Sequence, residues 1–118
     1  MNKTDIGDFG ERAACEFLAK KGYLIERRNF KVRTGEIDII AMDREFCRVF
    51  VEVKTRKSSS YGCASEFVDR AKQERIRNTA LLYCGGEAYM RFDVIEVYYS
   101  ICQGIMKVEE INHIEDAF

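Results

Sequence analysis

A chain of 118 residues, 47% hydrophobic and 33% charged with a formal net charge of −1, has the size and composition of one globular domain spanning 1–118, room for one core and not two. No apolar run approaches bilayer-spanning length, and Met1-Asn2-Lys3-Thr4-Asp5 lacks a signal-peptide core, so no membrane association is expected. Five cysteines (15, 47, 63, 84 and 102) without a C-x-x-C pair, and one histidine, His113, read as solvated, argue against a zinc centre or disulfide framework and for the reducing cytoplasm.

Near-neutrality argues mildly against strong non-specific nucleic-acid binding, but the charges are unevenly spread. Lys20, Lys21, Arg27, Arg28, Lys31 and Arg33 crowd one segment, Lys54, Arg56 and Lys57 a second, and Arg70, Lys72, Arg75 and Arg77 a third. The C-terminal part, with Glu109, Glu110, Glu115 and Asp116, is acidic. That asymmetry is compatible with a positive face for phosphates, or with ordinary solvated faces.

In chain order, Asp5 to about Lys21 reads as a helix, capped by Asp5 or Asp8 and stopped by Gly22, with Ala13, Ala14, Phe17 and Leu18 as its apolar stripe. Glu11 lies near the edge of the stripe, and periodicity alone makes it a carboxylate favoured by the helix dipole. Tyr23 to Val32 alternates as a strand, irregular near Arg27-Arg28; Arg33-Thr34-Gly35 is a turn, and Glu36 to Met42 the next strand. Asp43-Arg44-Glu45 closes a hairpin into the strand Phe46 to Thr55, making the two antiparallel neighbours. The polar stretch 56–65 is either a substrate-contacting loop or a plain connection. A helix then starts at Ser65 or Asp69 and ends at Gly85-Gly86, its apolar face made by Ala71, Ile76, Ala80, Leu81, Tyr83 and Cys84. Two strands follow, 89–99 and 105–111, turning at Gln103-Gly104. The order predicts an α/β sandwich around a mixed sheet. Val94, Ile95, Val97, Tyr98 and Tyr99 are apolar enough for an interface but read first as core.

Chemistry concentrates in the two hairpin strands. Alternation puts Phe50, Glu52 and Lys54 on one face and Val49, Val51 and Val53 on the other. It also groups Glu36, Asp38, Ile40 and Met42, although aspartate suits a strand interior poorly. If the register sets these faces side by side, Asp38, Glu52 and Lys54 converge. Two carboxylates on adjacent strands suit a hard divalent cation that keeps several waters, and the lysine then serves an attacking water or offsets charge on a phosphate. A buried Asp/Glu–Lys ion-pair cluster explains the same residues structurally.

This pattern, Asp38 followed by Glu52-Val53-Lys54, resembles the PD-(D/E)xK nuclease superfamily, whose shared core is a helix, a three-strand antiparallel meander, a helix and a further strand. The whole chain resembles the YraN family of predicted bacterial endonucleases, distantly similar to archaeal Holliday-junction resolvases. Gly10-Glu11-Arg12-Ala13-Ala14, Gly35 to Ala41, Phe50 to Arg56, Val68 with Lys72-Gln73 and Arg75-Ile76, and Arg91 to Ile95 carry the likeness. Ile37 stands where the superfamily's label has proline.

The resemblance implies a restriction-endonuclease-like sandwich, a central mixed sheet flanked by helices. It implies Asp38 and Glu52 as carboxylates for magnesium or manganese, Glu11 as a third helping to hold the metal, and Lys54 as the catalytic lysine. Arg56, Lys72, Gln73 and Glu36 become candidates for the cleft or the substrate phosphates. The implied activity is hydrolysis of phosphodiesters in branched or otherwise structured DNA, by a possible homodimer. The alternatives are a catalytically silent nucleic-acid-binding module on the same fold, and an ion-paired structural domain with a protein partner.

Overall fold

The computed structural model describes residues 1–60, 68–86 and 88–118. Helix α1 spans Lys3–Lys20 and α2 spans Arg70–Cys84; strands β1 (Leu24–Val32), β2 (Gly35–Met42), β3 (Arg48–Lys57), β4 (Met90–Cys102) and β5 (Ile105–Ile114) form one sheet in that spatial order. β3 and β4 are parallel and every other neighbouring pair is antiparallel. The parallel pair follows from α2, the crossover that carries the chain back to start β4 beside β3. The result is the α/β sandwich expected from the element order: helix, meander, helix and a further strand on one mixed sheet.

Local chemistry sets the ends of the elements. The cap of α1 is Asn2, whose Oδ1 accepts the Asp5 N–H at 2.8 Å, so the helix begins earlier than the Asp5 or Asp8 cap predicts. Such a cap is worth about 1 kcal/mol. Asp69 caps α2, accepting the Lys72 N–H at 2.8 Å, and Gly85 ends it at φ 73°, a left-handed conformation that glycine adopts without steric cost. The alternative start at Ser65 lies outside the described residues. Of the polar stretch 56–65, Arg56 and Lys57 belong to β3 and Ser58–Ser60 form one helical turn; the rest also lies outside.

Two apolar layers sandwich the sheet. Ala14 and Leu18 of α1 pack on Ile39, Ala41, Val49, Val51, Ile95 and Val97. Ile76 and Ala80 of α2 pack on Ile37, Ile40, Phe50 and Phe92 on the other face. Val49 and Val51 against Phe50 is the alternation expected of β3. On α2 the buried side chains are Ile76, Thr79 and Ala80, while Ala71 and Leu81 are exposed. Ile95, Val97, Tyr98 and Tyr99 are buried within the chain, as core.

Two close approaches position the cleft. A Cβ on Gly10 would stand 1.9 Å from Thr55 Oγ1, so α1 lies against β3 only because that position has no side chain. Glu11 is thereby carried to the sheet surface. On the other face the β1–β2 turn docks on α2, where the Thr34 and Thr79 hydroxyls meet at 2.9 Å.

His113 is a correction to the sequence reading. Its side chain is buried, with Nε2 2.8 Å from Asp93 Oδ2 and Nδ1 2.9 Å from Lys21 Nζ. Arg91 closes on the same carboxylate, Nε to Oδ1 at 2.9 Å and Nη2 to Oδ2 at 3.0 Å, and reaches Tyr23 and Asp43. The near-terminal position suggested solvent, but β5 pairs with β4 through Ile95↔His113 and draws the ring under the sheet's α1 face.

Candidate active site

The β2–β3 ladder runs from Met42↔Arg48 to Ile39↔Val51 and stops there. β2 continues beside β1 to Val32↔Gly35, and β3 continues beside β4 to Lys57↔Tyr99. The two strands therefore part, and the first side chain beyond the split on β2 is Asp38. Its Oδ2 accepts the Val53 N–H at 2.8 Å, taking over a donor that the interrupted ladder leaves free. An aspartate unfavourable in a strand interior thus becomes the group that ends the pairing.

Alternation lapses at this point. Ile37 and Ile40 both face the α2 layer, and Ile39 faces α1. Glu36 and Asp38 consequently do not share Ile40's face; they line a cleft of about 540 Å³ on the α1 side together with Asp8, Glu11, Asn29 and Lys31. β1 contributes to the same irregularity through its register shift between Ile25 and Arg27 and through Asn29, at φ 52°.

Glu52 and Lys54 lie across the strand gap, toward α2. Glu52 is buried, and its Oε1 is 3.7 Å from Lys54 Nζ and 2.6 Å from Lys72 Nζ. Burial and then the Glu52 charge push the Asp38 carboxyl up to about 7, against the lowering pull of the Val53 N–H, with Glu11 adding to the rise. The Lys72 ammonium is held above its usual range: burial works against its charge, but the Glu52 hydrogen bond and the Glu52 and Asp38 charges outweigh it. Burial also raises the Glu11 carboxyl, with Arg28 opposing. Glu11 Oε1 is buried without a hydrogen bond, its counter-charge Arg28 Nη2 standing at 3.5 Å.

The predicted residues thus fall into groups. Glu52 Oε1 has Lys54 and Lys72 beside it, and Asp38, on the α1 side of the split, is near enough to feel the Glu52 charge. Glu11 shares Asp38's cleft, and Glu36 lines it while paired with Lys31 at 3.6 Å. Arg56 is drawn to Glu96 of β4, at 3.2 Å. Gln73 Nε2 donates to the Val68 carbonyl at 2.8 Å, a contact that fastens the start of α2. Asn29 was not singled out by pattern and Arg28 stood only as one of a basic run; the break in alternation near Arg27-Arg28 was the local signal for both.

Among the described residues no set of three or more His, Cys, Asp or Glu side chains is gathered closely enough to hold a metal by itself. The donor chemistry still suits magnesium or manganese. Asp38 and Glu52 concentrate negative charge at one point, Glu11 keeps an unsatisfied buried oxygen in Asp38's cleft, and such ions keep several waters when one or two carboxylates bind them. Among the described residues no helix is long and apolar enough to cross a membrane.

The model of the uncharacterised protein family UPF0102 matches residues 10–97. A UPF0102 protein of Caldanaerobacter subterraneus subsp. tengcongensis is 43% identical over 122 aligned positions, covering 100% of this chain and 98% of that one. One from Clostridium botulinum strain Loch Maree is 50% identical over 114 positions, covering 92% of each. Among solved structures, a repair endonuclease from Pyrococcus abyssi matches with a TM-score of 0.42 at 18% identity, over 80% of this chain and 38% of that one.

Proposed function

The chain belongs to the uncharacterised protein family UPF0102, and from that premise we propose that it is a divalent-metal-dependent endonuclease acting on structured or branched DNA. The observation that carries this reading is Asp38 standing where β2 and β3 part, near enough to Glu52 for that charge to raise its carboxyl, with Lys54 two residues along β3 from Glu52. Lys54 and Lys72 already offset Glu52; a divalent cation between Asp38 and Glu52 would in addition relieve the repulsion that raises the Asp38 carboxyl.

Asp38 and Glu52 would hold the magnesium or manganese ion, Glu11 contributing from α1. When bound, the ion supplies Lewis-acid polarisation of the phosphodiester and acidifies water. Lys54 orients the attacking water and offsets charge growing on the phosphate, and its place on a paired strand fixes it for that task. The exposed cations Lys31 and Arg33 of the β1–β2 hairpin, Lys57 at the end of β3, and Arg70 and Arg75 of α2 contact the flanking phosphates. A homodimer matches a substrate that presents two equivalent strands, and the cytoplasm matches cysteines used as free thiols.

Calorimetric titration with Mn²⁺, followed by cutting assays on branched and linear DNA, tests the reading. Binding that Asp38→Ala abolishes, and cutting of branched DNA that Lys54→Ala abolishes while binding persists, are expected. Cation binding with no cutting of any DNA would move the protein to the catalytically silent nucleic-acid-binding module. No cation binding would remove the metal site altogether.

A further inference from the structure

Lys72 occupies a position where a helix gains nothing from a lysine. Asp69 caps α2, so Lys72 is the third helical residue, at the positive end of the helix dipole. From there its ammonium reaches back to the sheet and lies 2.6 Å from Glu52 Oε1, closer than Lys54 at 3.7 Å to the same oxygen. That oxygen belongs to the carboxylate whose charge acts on Asp38, and Lys72 is the nearer of the two lysines beside it. A short charge-assisted hydrogen bond at that spot does electrostatically what a divalent cation would do there.

We propose that Lys72 is the resident counter-cation of the metal-free site and that it gives up Glu52 Oε1 when a divalent cation binds. The inference rests on the metal-dependent reading above and adds a control to it: the two carboxylates are never left facing each other uncompensated, and Lys72 competes with the cation for one of them. Lys54 is not equivalent. It stands on the same strand as Glu52, two residues away, and at 3.7 Å makes no hydrogen bond to Oε1 that a cation would have to displace. Lys72 belongs to another element and holds on by a four-carbon stem, so it withdraws by side-chain rotation with the sheet unmoved.

The full chain is titrated with Mn²⁺ as wild type, Lys72→Met and Lys54→Met. Both substitutions remove one positive charge from the same oxygen, so a general field effect tightens binding equally in the two. Competition predicts that Lys72→Met binds about tenfold tighter than wild type, the worth of a charge-assisted hydrogen bond, and that Lys54→Met gains clearly less. Equal gains, or weaker binding in Lys72→Met, would overturn the proposal. Amine acylation of the wild-type protein read by mass spectrometry gives a second measure that needs no variant. Lys72 should be protected without metal and modified several-fold faster in Mn²⁺, with the exposed Lys3 and Lys107 unchanged; unaltered protection in bound Mn²⁺ overturns it as well. Failure of all three proteins to bind Mn²⁺ sinks the metal reading and this inference together, whereas binding without release of Lys72 sinks only the inference.

Discussion

Asp38 on β2 and Asp93 on β4 are both aspartates inside strands, and their surroundings push them in opposite directions. Asp93 is fully buried, and burial by itself would raise its carboxyl, but His113, Arg91 and the Asp116 N–H, all bonded to it, hold it below the usual carboxylate range. Asp38 has one backbone donor and two carboxylate neighbours, Glu52 and Glu11, and is pushed up to about 7. One aspartate locks β4 to β5 and the C-terminal segment. The other sits where two strands come apart and weakens the fold at that point. A carboxylate with every acceptor used stabilises; one crowded by like charge does not.

Removing the satisfied carboxylate should have the largest effect. Asp93→Ala leaves Arg91 and His113 without their buried partner and is expected to cost about 3–5 kcal/mol in urea unfolding, the range for breaking a buried pair. Because its folded pKa is depressed, Asp93 adds stability above its unfolded pKa and loses it as pH falls through the folded value. The variant should therefore show a weaker acid dependence below about pH 4.

The opposite sign is expected at Asp38. Its folded pKa is raised, so the fold favours the protonated form; the cost is fully present above about pH 7 and disappears as pH falls toward the unfolded value. Asp38→Asn should raise stability by roughly 2–4 kcal/mol at pH 8, and by almost nothing at pH 4, while Mn²⁺ binding is lost. A destabilised Asp38→Asn at pH 8 would mean that the carboxylate is structural after all.

Two glycines one turn apart on α1 sharpen the comparison at smaller scale. Gly10→Ala meets Thr55 Oγ1 and should cost about 1–3 kcal/mol by overpacking, weakening cation binding through the displaced Glu11. Gly7→Ala meets nothing within 4 Å and should stabilise by about 0.5–1 kcal/mol through helix propensity. Paired thermal melts distinguish the two.

Much of this arrangement was legible in the sequence for definite reasons. Val49, Phe50, Val51 and Val53 alternate between two apolar layers, so the facing of Glu52 and Lys54 followed from period two. The hairpin at Asp43 forced β2 and β3 to be neighbours. What misled was assuming that alternation runs the full length of β2: Ile37 and Ile40 share a layer, and Asp38 turns toward α1. His113 was misjudged because nearness to a chain end says nothing about strand pairing: the β4–β5 ladder starts at Cys102↔Ile105 and runs on to Ile95↔His113.

The sequence alone determined which elements form and which candidate residues they hold, because strand period, turn residues and caps are local properties read within a few residues. Tertiary structure decided where the strands separate, that Lys72 rather than Lys54 makes the closest contact with Glu52, and that Glu11 enters Asp38's cleft. Those outcomes depend on distances between elements far apart along the chain, set by the seating of Gly10 on Thr55, by the docking of the β1–β2 turn on α2, and by where burial leaves a charge without a partner.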